Sequence, residues 1–333
     1  MASLSELLTV IITTSPVKSH PSTELLDAVR ESFNLVDGLC ECNQIIVADG
    51  YLVNDDGSPN KEKSGKISRE LADAYEHFLV DLREKLELEG PVPSRRLIVR
   101  SKRYGFAENL KCGVLVATTP YVLVVQHDQV FLRPLRNLSL FQIISSLIEH
   151  PEIKYLGLMS TSDMNYQTRR YNLPEYQLFR DDSKKVVHDF VRHHLQTWKL
   201  SVHVQQSDNG NDNGNGNDLV KFHQLKYGLP LMPLDFWYDK PHIASRRVYL
   251  DFVFGQTHFN YHTGISVRVN NFVEDSLGNV IKSNIQHRGW MAFTMYHIYS
   301  LYDDPENPII GHLDGRGFIT KSQKWEILAP SAD

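Results

Sequence analysis

Apolar positions in the first 160 residues alternate between two periods. Leu8–Thr13 is an uncharged, β-branched run that ends in the turn-rich stretch from Thr14-Ser15-Pro16 to His20-Pro21-Ser22, which predicts a buried strand and then a turn. Leu25, Leu26, Val29, Phe33 and Val36 follow at helical spacing, with Ser22 placed to cap them. Gln44–Ala48 predicts a second buried strand, stopped by Asp49-Gly50, and the polar residues 54–65 predict a loop. Ile67, Leu71, Tyr75, Phe78, Leu82 and Leu86 predict a long amphipathic helix. A third strand is expected at Leu97–Val99, a helix at Ala107–Thr118, and a fourth strand at Tyr121–Val125, which runs straight into Gln126-His127-Asp128.

Strands that alternate with helices form a parallel sheet covered on both faces, so the expected fold is α/β and Rossmann-like, in three layers. Ligands of such sheets sit beyond the carboxyl ends of the strands. The residues there are Thr13, Thr14 and Ser15, then Asp49, then Arg100–Arg103, then Gln126–Gln129. A single polar residue at a strand end ordinarily starts a turn; several such ends in one sheet favour a site. Arg103 or Lys102 reads either as a contact to a phosphate-bearing ligand or as a solvated pair.

Beyond residue 160 the pattern loosens. Residues 205–218 are almost wholly Asn, Gly, Asp and Gln, a composition that buries nothing and predicts a disordered loop inside a domain. The chain is therefore read as one domain over 1–333, with the strand-end ligand site in the half at 1–160 and a second half at 161–333. The last third is rich in Tyr, Phe, Trp and His, which serve equally as an acceptor-binding wall or as core.

Composition narrows the function classes. Of 333 residues 41% are hydrophobic and 23% charged, enough for a large core without staples. A net charge of −5 supplies no basic field for nucleic acid. Three cysteines, Cys40, Cys42 and Cys112, show no paired or zinc-ligand spacing and suit a reducing compartment. No apolar stretch is long enough to span a bilayer, and the residues before Thr13 lack a basic leader pattern, so a cytoplasmic location is expected.

Two stretches resemble the inverting GT-A glycosyltransferases, especially the family-2-like group: LTVIITTSPVKSHPSTELLDAVRESF with QIIVADG, and RLIVRSKRYGFAENLKCGVLVATTPYVLVVQHDQVFLRPL. The resemblance covers most of residues 8–135, and residues 230–320 loosely. It implies a nucleotide-diphosphate-sugar donor, a carbohydrate or other hydroxyl acceptor, and Mn²⁺ or Mg²⁺. Thr13–Ser15 and Asp49 match the positions that bracket the nucleobase and ribose, which points to a UDP-sugar, with GDP- and dTDP-sugars left open. Gly105, Asn109 and Gly113 match the family's glycines and asparagine. Where the family carries Asp-x-Asp, this chain has Gln126-His127-Asp128, so the resemblance assigns the metal to Asp128 and leaves Gln126 and His127 to the donor. Glu274-Asp275 matches the family's pair at a helix start, Asp275 as general base and Glu274 orienting the acceptor. His312 is the candidate late histidine that completes the metal site in some GT-A enzymes, with a structural turn as the other reading.

Other histidines carry less. His188, His193 and His194 lie in a polar, basic stretch and read as a solvated face, and His258-x-x-x-His262 has metal spacing in surroundings that are not helical. Two further functions remain open: a non-catalytic nucleotide-sugar or carbohydrate-binding protein with a degenerate metal motif, and a nucleotidyltransferase. The second calls for a glycine-rich phosphate loop after the first strand, and residues 14–22 contain no glycine.

Overall fold

The computed structural model describes residues 3–54, 65–91, 93–136, 138–160, 231–288, 292, 295–301, 304 and 307–313. The Asn/Gly-rich stretch 205–218 and His188, His193 and His194 lie outside them. A short helix α1 (Leu4–Leu7) leads into β1 (Leu8–Thr14), every residue of which is buried, as its unbroken apolar run requires. Helix α2 (Glu24–Glu31) buries Leu25, Leu26 and Val29. It is shorter than the apolar spacing suggests, because the chain tightens to a 3₁₀ turn at Ser32–Leu35 and Val36 is extended. Thr23 rather than Ser22 stands at its N-cap.

Strand β2 (Asn43–Ala48) follows, then a two-residue pair, β3 (Leu52–Val53) with β4 (Lys66–Ile67), which takes Ile67 out of the next helix. Helix α3 (Arg69–Leu88) begins instead where the Ser68 hydroxyl accepts from the Leu71 N–H. Strand β5 (Arg95–Val99), helix α4 (Phe106–Val116) and strand β6 (Tyr121–Gln126) complete the run. Gly113 lets α4 lie close on the sheet, since a Cβ there would sit 2.7 Å from the Ile11 side chain.

After β6 come β7 (Gln129–Phe131), helix α5 (Leu140–Glu149) and β8 (Tyr155–Leu158). Next among the described residues are β9 (Leu231–Pro233) and β10 (His242–Ser245), then the hairpin β11 (His258–Asn260) and β12 (Ile265–Val267). The chain continues through a π turn at Glu274–Gly278 into helix α6 (Asn279–Arg288), then β13 (Ile298–Leu301) and β14 (Ile310–His312).

Among the described residues the main sheet has eight strands in the order β5-β2-β1-β6-β10-β8-β13-β9. β5, β2, β1 and β6 are mutually parallel, β8 and β13 run the same way, and β10 and β9 oppose them. The fold is thus α/β with a mostly parallel sheet, as its alternating pattern predicts. From β1 the chain moves outward through β2 to β5, then returns to the other side of β1 at β6. Right-handed crossovers therefore put α2 and α3 on one face and α4 on the other. The reversal creates a topological switch point between β1 and β6, where open α/β sheets bind ligands.

The late aromatics divide between core and surface. Trp237, Tyr155 and Tyr249 are fully buried around His242, with Tyr155 and His242 rings stacked at 4.4 Å. Phe259 and Tyr261 on the β11–β12 hairpin are exposed. Cys40, Cys42 and Cys112 are free thiols. Among the described residues no helix is long and apolar enough to cross a membrane.

Candidate functional site at the switch point

The crevice between β1 and β6 is closed at its base by a backbone bond, His127 N–H to the Thr13 carbonyl at 3.0 Å. Thr13 and Thr14 are buried at the end of β1, and the Thr14 carbonyl accepts from the Asp49 N–H at 2.9 Å. With the Arg100 N–H donating to the Ala48 carbonyl at 2.9 Å, sheet register lines up the four ends that the sequence offered as a site: Thr13–Ser15, Asp49, Arg100–Arg103 and Gln126–Gln129.

Asp49 holds the neighbouring loop. Its Oδ1 accepts from the N–H groups of Gly50 (3.0 Å) and Tyr104 (2.8 Å), and its Oδ2 from that of Gly105 (2.9 Å). Arg103 Nη1 lies 3.7 Å from Oδ2, and the Arg103 side chain is laid over Gly65. Three backbone donors and a guanidinium make Asp49 the fastener of the turn after β5. Arg103 is committed to that fastener, and Lys102 sits over the Tyr104 ring.

Gly105 is needed for the same turn. Its φ of +82° is in the region that L side chains avoid, and a Cβ would sit 3.3 Å from the Asn271 carbonyl. That carbonyl accepts from the Ala107 N–H at 2.8 Å, and the Phe106 and Phe272 rings stack 6.1 Å apart. The turn fastened by Asp49 thus carries the segment that leads to Glu274 and Asp275. Asn109, one turn into α4, is 2% exposed, and its Oδ1 is buried without a hydrogen bond among the described residues.

Glu274 and Asp275 do begin a helix, the π turn that continues into α6. Glu274 exchanges two bonds with Asp239: its N–H donates to Asp239 Oδ1 (3.3 Å), and its Oε2 accepts from the Asp239 N–H (3.1 Å). The Asp239 carbonyl in turn accepts from Gln126 Nε2. Glu274 is partly buried, while Asp275 is exposed. Gln126, which the resemblance leaves to the donor, spends its amide on tying the end of β6 to the Glu274–Asp275 turn through Asp239. Asp239 had no signal in the sequence beyond a lone aspartate next to Lys240, a pattern that ordinarily reads as solvated.

Asp128 and His312 are brought together. Strand β14 pairs antiparallel with β7, His312 lies opposite Gln129, and the Leu313 N–H donates to the Asp128 carbonyl at 2.7 Å. His312 Nε2 then stands 3.2 Å from Asp128 Oδ2. Two neighbouring ligands of an octahedral ion with bonds of about 2.1 Å are about 3.0 Å apart, so one carboxylate oxygen and one imidazole nitrogen fit adjacent positions of Mn²⁺ or Mg²⁺. Among the described residues no three His, Cys, Asp or Glu side chains converge as a metal cage. Two protein ligands would leave the remaining positions of such an ion to water or to a ligand's oxygens.

His127 Nδ1 is buried without a hydrogen bond among the described residues. His20, in the loop after β1, packs against Phe78 with the rings tilted and their centres 4.1 Å apart, and burial pushes its pKa down to about 4. His258 starts a strand and His262 follows in a turn, so the pair is not on one helix.

No family model matches the chain, and no curated protein matches it. Among solved structures it is similar to S. aureus TarS, at 10% identity and a TM-score of 0.38 over 96% of this chain and 38% of that one. S. aureus TarS 1-349 in complex with UDP-GlcNAc gives 10% identity and a TM-score of 0.39 over 96% of this chain and 64% of that one. The mannosyltransferase PcManGT from Pyrobaculum calidifontis, in complex with GDP-Man and Mn²⁺, gives 12% and 0.27 over 50% of this chain and 37% of that one. The chain spans about two fifths of the length of the TarS chain. Likenesses this slight bear on neither the site nor the reaction.

Proposed function

We propose that the chain transfers a sugar from a nucleotide-diphosphate donor to a hydroxyl acceptor with inversion at the anomeric carbon. The observation that carries the reading is the meeting of Asp128 and His312 beside the switch point. The Glu274–Asp275 turn is fastened to the same strand end through Asp239 and Gln126.

In this reading Asp128 and His312 would hold a Mn²⁺ or Mg²⁺ ion, which would supply neutralising charge for a departing diphosphate. The loop after β1, with Thr13, Thr14 and Ser15, and the Asp49-fastened turn with Arg103 and Gly105 form the walls for the nucleotide. Asn109, in the first turns of α4, and His127, just past β6, complete the donor-binding set in this reading. Asp275 takes the proton of the acceptor hydroxyl as its oxygen bonds to the anomeric carbon. The bond from that carbon to the diphosphate breaks in the same step, and the electron pair leaves with the nucleoside diphosphate. Glu274, held by its exchange with Asp239, sets the position of Asp275 and orients the acceptor.

A UDP-sugar is the proposed donor, with GDP- and dTDP-sugars as the alternatives. The deciding experiment is calorimetric titration with UDP, GDP and dTDP, each with and without Mn²⁺. Metal-dependent binding of one nucleotide supports the reading and names the donor class. Binding that ignores the metal favours a nucleotide-sugar-binding protein with an incomplete motif, a reading that the commitment of Gln126 to Asp239 also suits. Binding of no nucleotide overturns both.

A further inference from the structure

Asp239 is a carboxyl group in an unusual place. It is 6% exposed and makes no ion pair with any Lys or Arg among the described residues. Its Oδ1 accepts the Glu274 N–H, and its Oδ2 is buried without a hydrogen bond among the described residues. The groups that act on it are the carboxylates of Glu274 and Asp275 on the π turn and the phenol of Tyr249 on the segment after β10. The Tyr249 hydroxyl is itself bonded to His242 Nε2, and the neighbouring Lys240 ammonium lies over the Tyr238 ring.

A charged carboxylate in these surroundings would sit beside two others, with no paired Lys or Arg among the described residues and one oxygen bare. A protonated one removes the repulsion and still accepts at Oδ1. The backbone half of the contact is equally specific, since the Asp239 N–H and carbonyl bridge Glu274 Oε2 to Gln126 Nε2.

We infer that Asp239 works as a neutral carboxylic acid that positions the Glu274–Asp275 turn against the end of β6. Burial and the adjoining Glu274 carboxylate both hold its proton on, pushing the group well above the ordinary carboxylate range. It is a positioning residue: it acts on transfer through Glu274 and Asp275. The consequence for catalysis rests on the proposed glycosyl transfer, whereas the protonation and the positioning are read without any activity.

Three measurements on the full chain test it. Thermal unfolding of the parent and of Asp239→Asn is compared at pH 7.5 and pH 4.5. An unfolded aspartate is ionised at pH 7.5, so folding must rebind its proton there, and the amide avoids that step. Asp239→Asn therefore melts about 2 °C or more above the parent at pH 7.5, and the gain shrinks at pH 4.5. A lower melting temperature for Asp239→Asn at pH 7.5 overturns the neutral acid.

Hydrogen exchange then reads the turn. The Glu274 amide is as protected in Asp239→Asn as in the parent, and exchanges about tenfold faster in Asp239→Ala. Equal protection in Asp239→Ala overturns the positioning role. Where transfer is measurable, Asp239→Asn keeps kcat within about threefold, and Asp239→Ala lowers kcat about tenfold or more with the donor KM little changed. A chain that transfers no sugar in any form removes the proposed function and leaves the first two measurements to decide this inference.

Discussion

Asp128 Oδ2 and His312 Nε2 stand 3.2 Å apart, and it is the backbone that brings them there. The β7–β14 pairing fixes His312 opposite Gln129, and the Leu313 N–H to Asp128 carbonyl bond locks the register. Asp128 is nearly buried and His312 about half exposed, so the pair offers one fixed and one accessible donor. Manganese titration followed by electron paramagnetic resonance should show binding that strengthens with nucleoside diphosphate. Asp128→Asn and His312→Ala should each weaken it by about tenfold or more, the loss of at least 1.4 kcal/mol. Unchanged manganese binding in both variants would remove the metal assignment.

Asp275 is exposed, and its neighbour Glu274 is the one held by Asp239. A base that only meets its proton in the ternary complex can be replaced without disturbing the fold or the donor. Asp275→Asn should lower transfer by about 10²–10⁴-fold while donor affinity stays within a factor of about two. Retained turnover would take the base assignment away from Asp275. Loss of donor binding would make it a donor contact instead.

Much of the first half of the fold was legible because β1, β2 and β6 are buried on both faces and therefore written as plain apolar runs, such as Leu8–Thr13 and Tyr121–Val125. Boundaries slipped where a tertiary contact intervened, as when the β3–β4 pair captured Ile67. Helix α5 had a readable signature in Ser139 and Gln142, whose capping box the structure forms, together with Leu140, Ile143, Ile144 and Leu147. Asp128, His312 and the Glu274–Asp275 pair were singled out only by the resemblance, and no pattern in the chain announces that Asp128 and His312 meet. Asp239 was legible in neither way. Its burial comes from β10 inserted antiparallel between β6 and β8, a non-local event that a lone aspartate beside a lysine does not announce.

Asp49 makes a sharper test of structure against sequence. The resemblance gives it to the nucleobase; the coordinates engage its carboxylate with three backbone N–H groups and Arg103. A hydrogen bond to a charged group is worth about 1.5–3 kcal/mol, and a buried donor left bare costs a similar amount. Asp49→Ala should therefore destabilise the chain by about 3 kcal/mol or more in urea unfolding, and Asp49→Asn by less, since one amide oxygen still accepts. Stability unchanged in Asp49→Ala, with nucleotide affinity lost, would return the residue to the purely ligand-binding role.

The acid side of the stability curve sets three buried groups against one another. Burial pushes His20 and His242 each down to about 4. Between an unfolded value near 6.5 and that level the unfolded chain binds protons that the folded chain refuses, so their stabilising contribution is full above about pH 6.5 and is lost as the pH falls toward 4. Asp239 has the opposite sign: its raised pKa means the folded chain holds a proton that the unfolded chain releases above about pH 3.9, so its share of stability is regained as the pH falls. Two histidines losing about 1.4 kcal/mol per pH unit each are thus partly offset by one aspartate gaining as much. Removing the offset should expose them. In urea unfolding between pH 4.5 and 6, Asp239→Asn should lose stability more steeply than the parent, by about 1.4 kcal/mol per pH unit. Parallel curves would mean that Asp239 exchanges no proton on folding, and His20→Gln, which should flatten the same limb, would then report on the histidine alone.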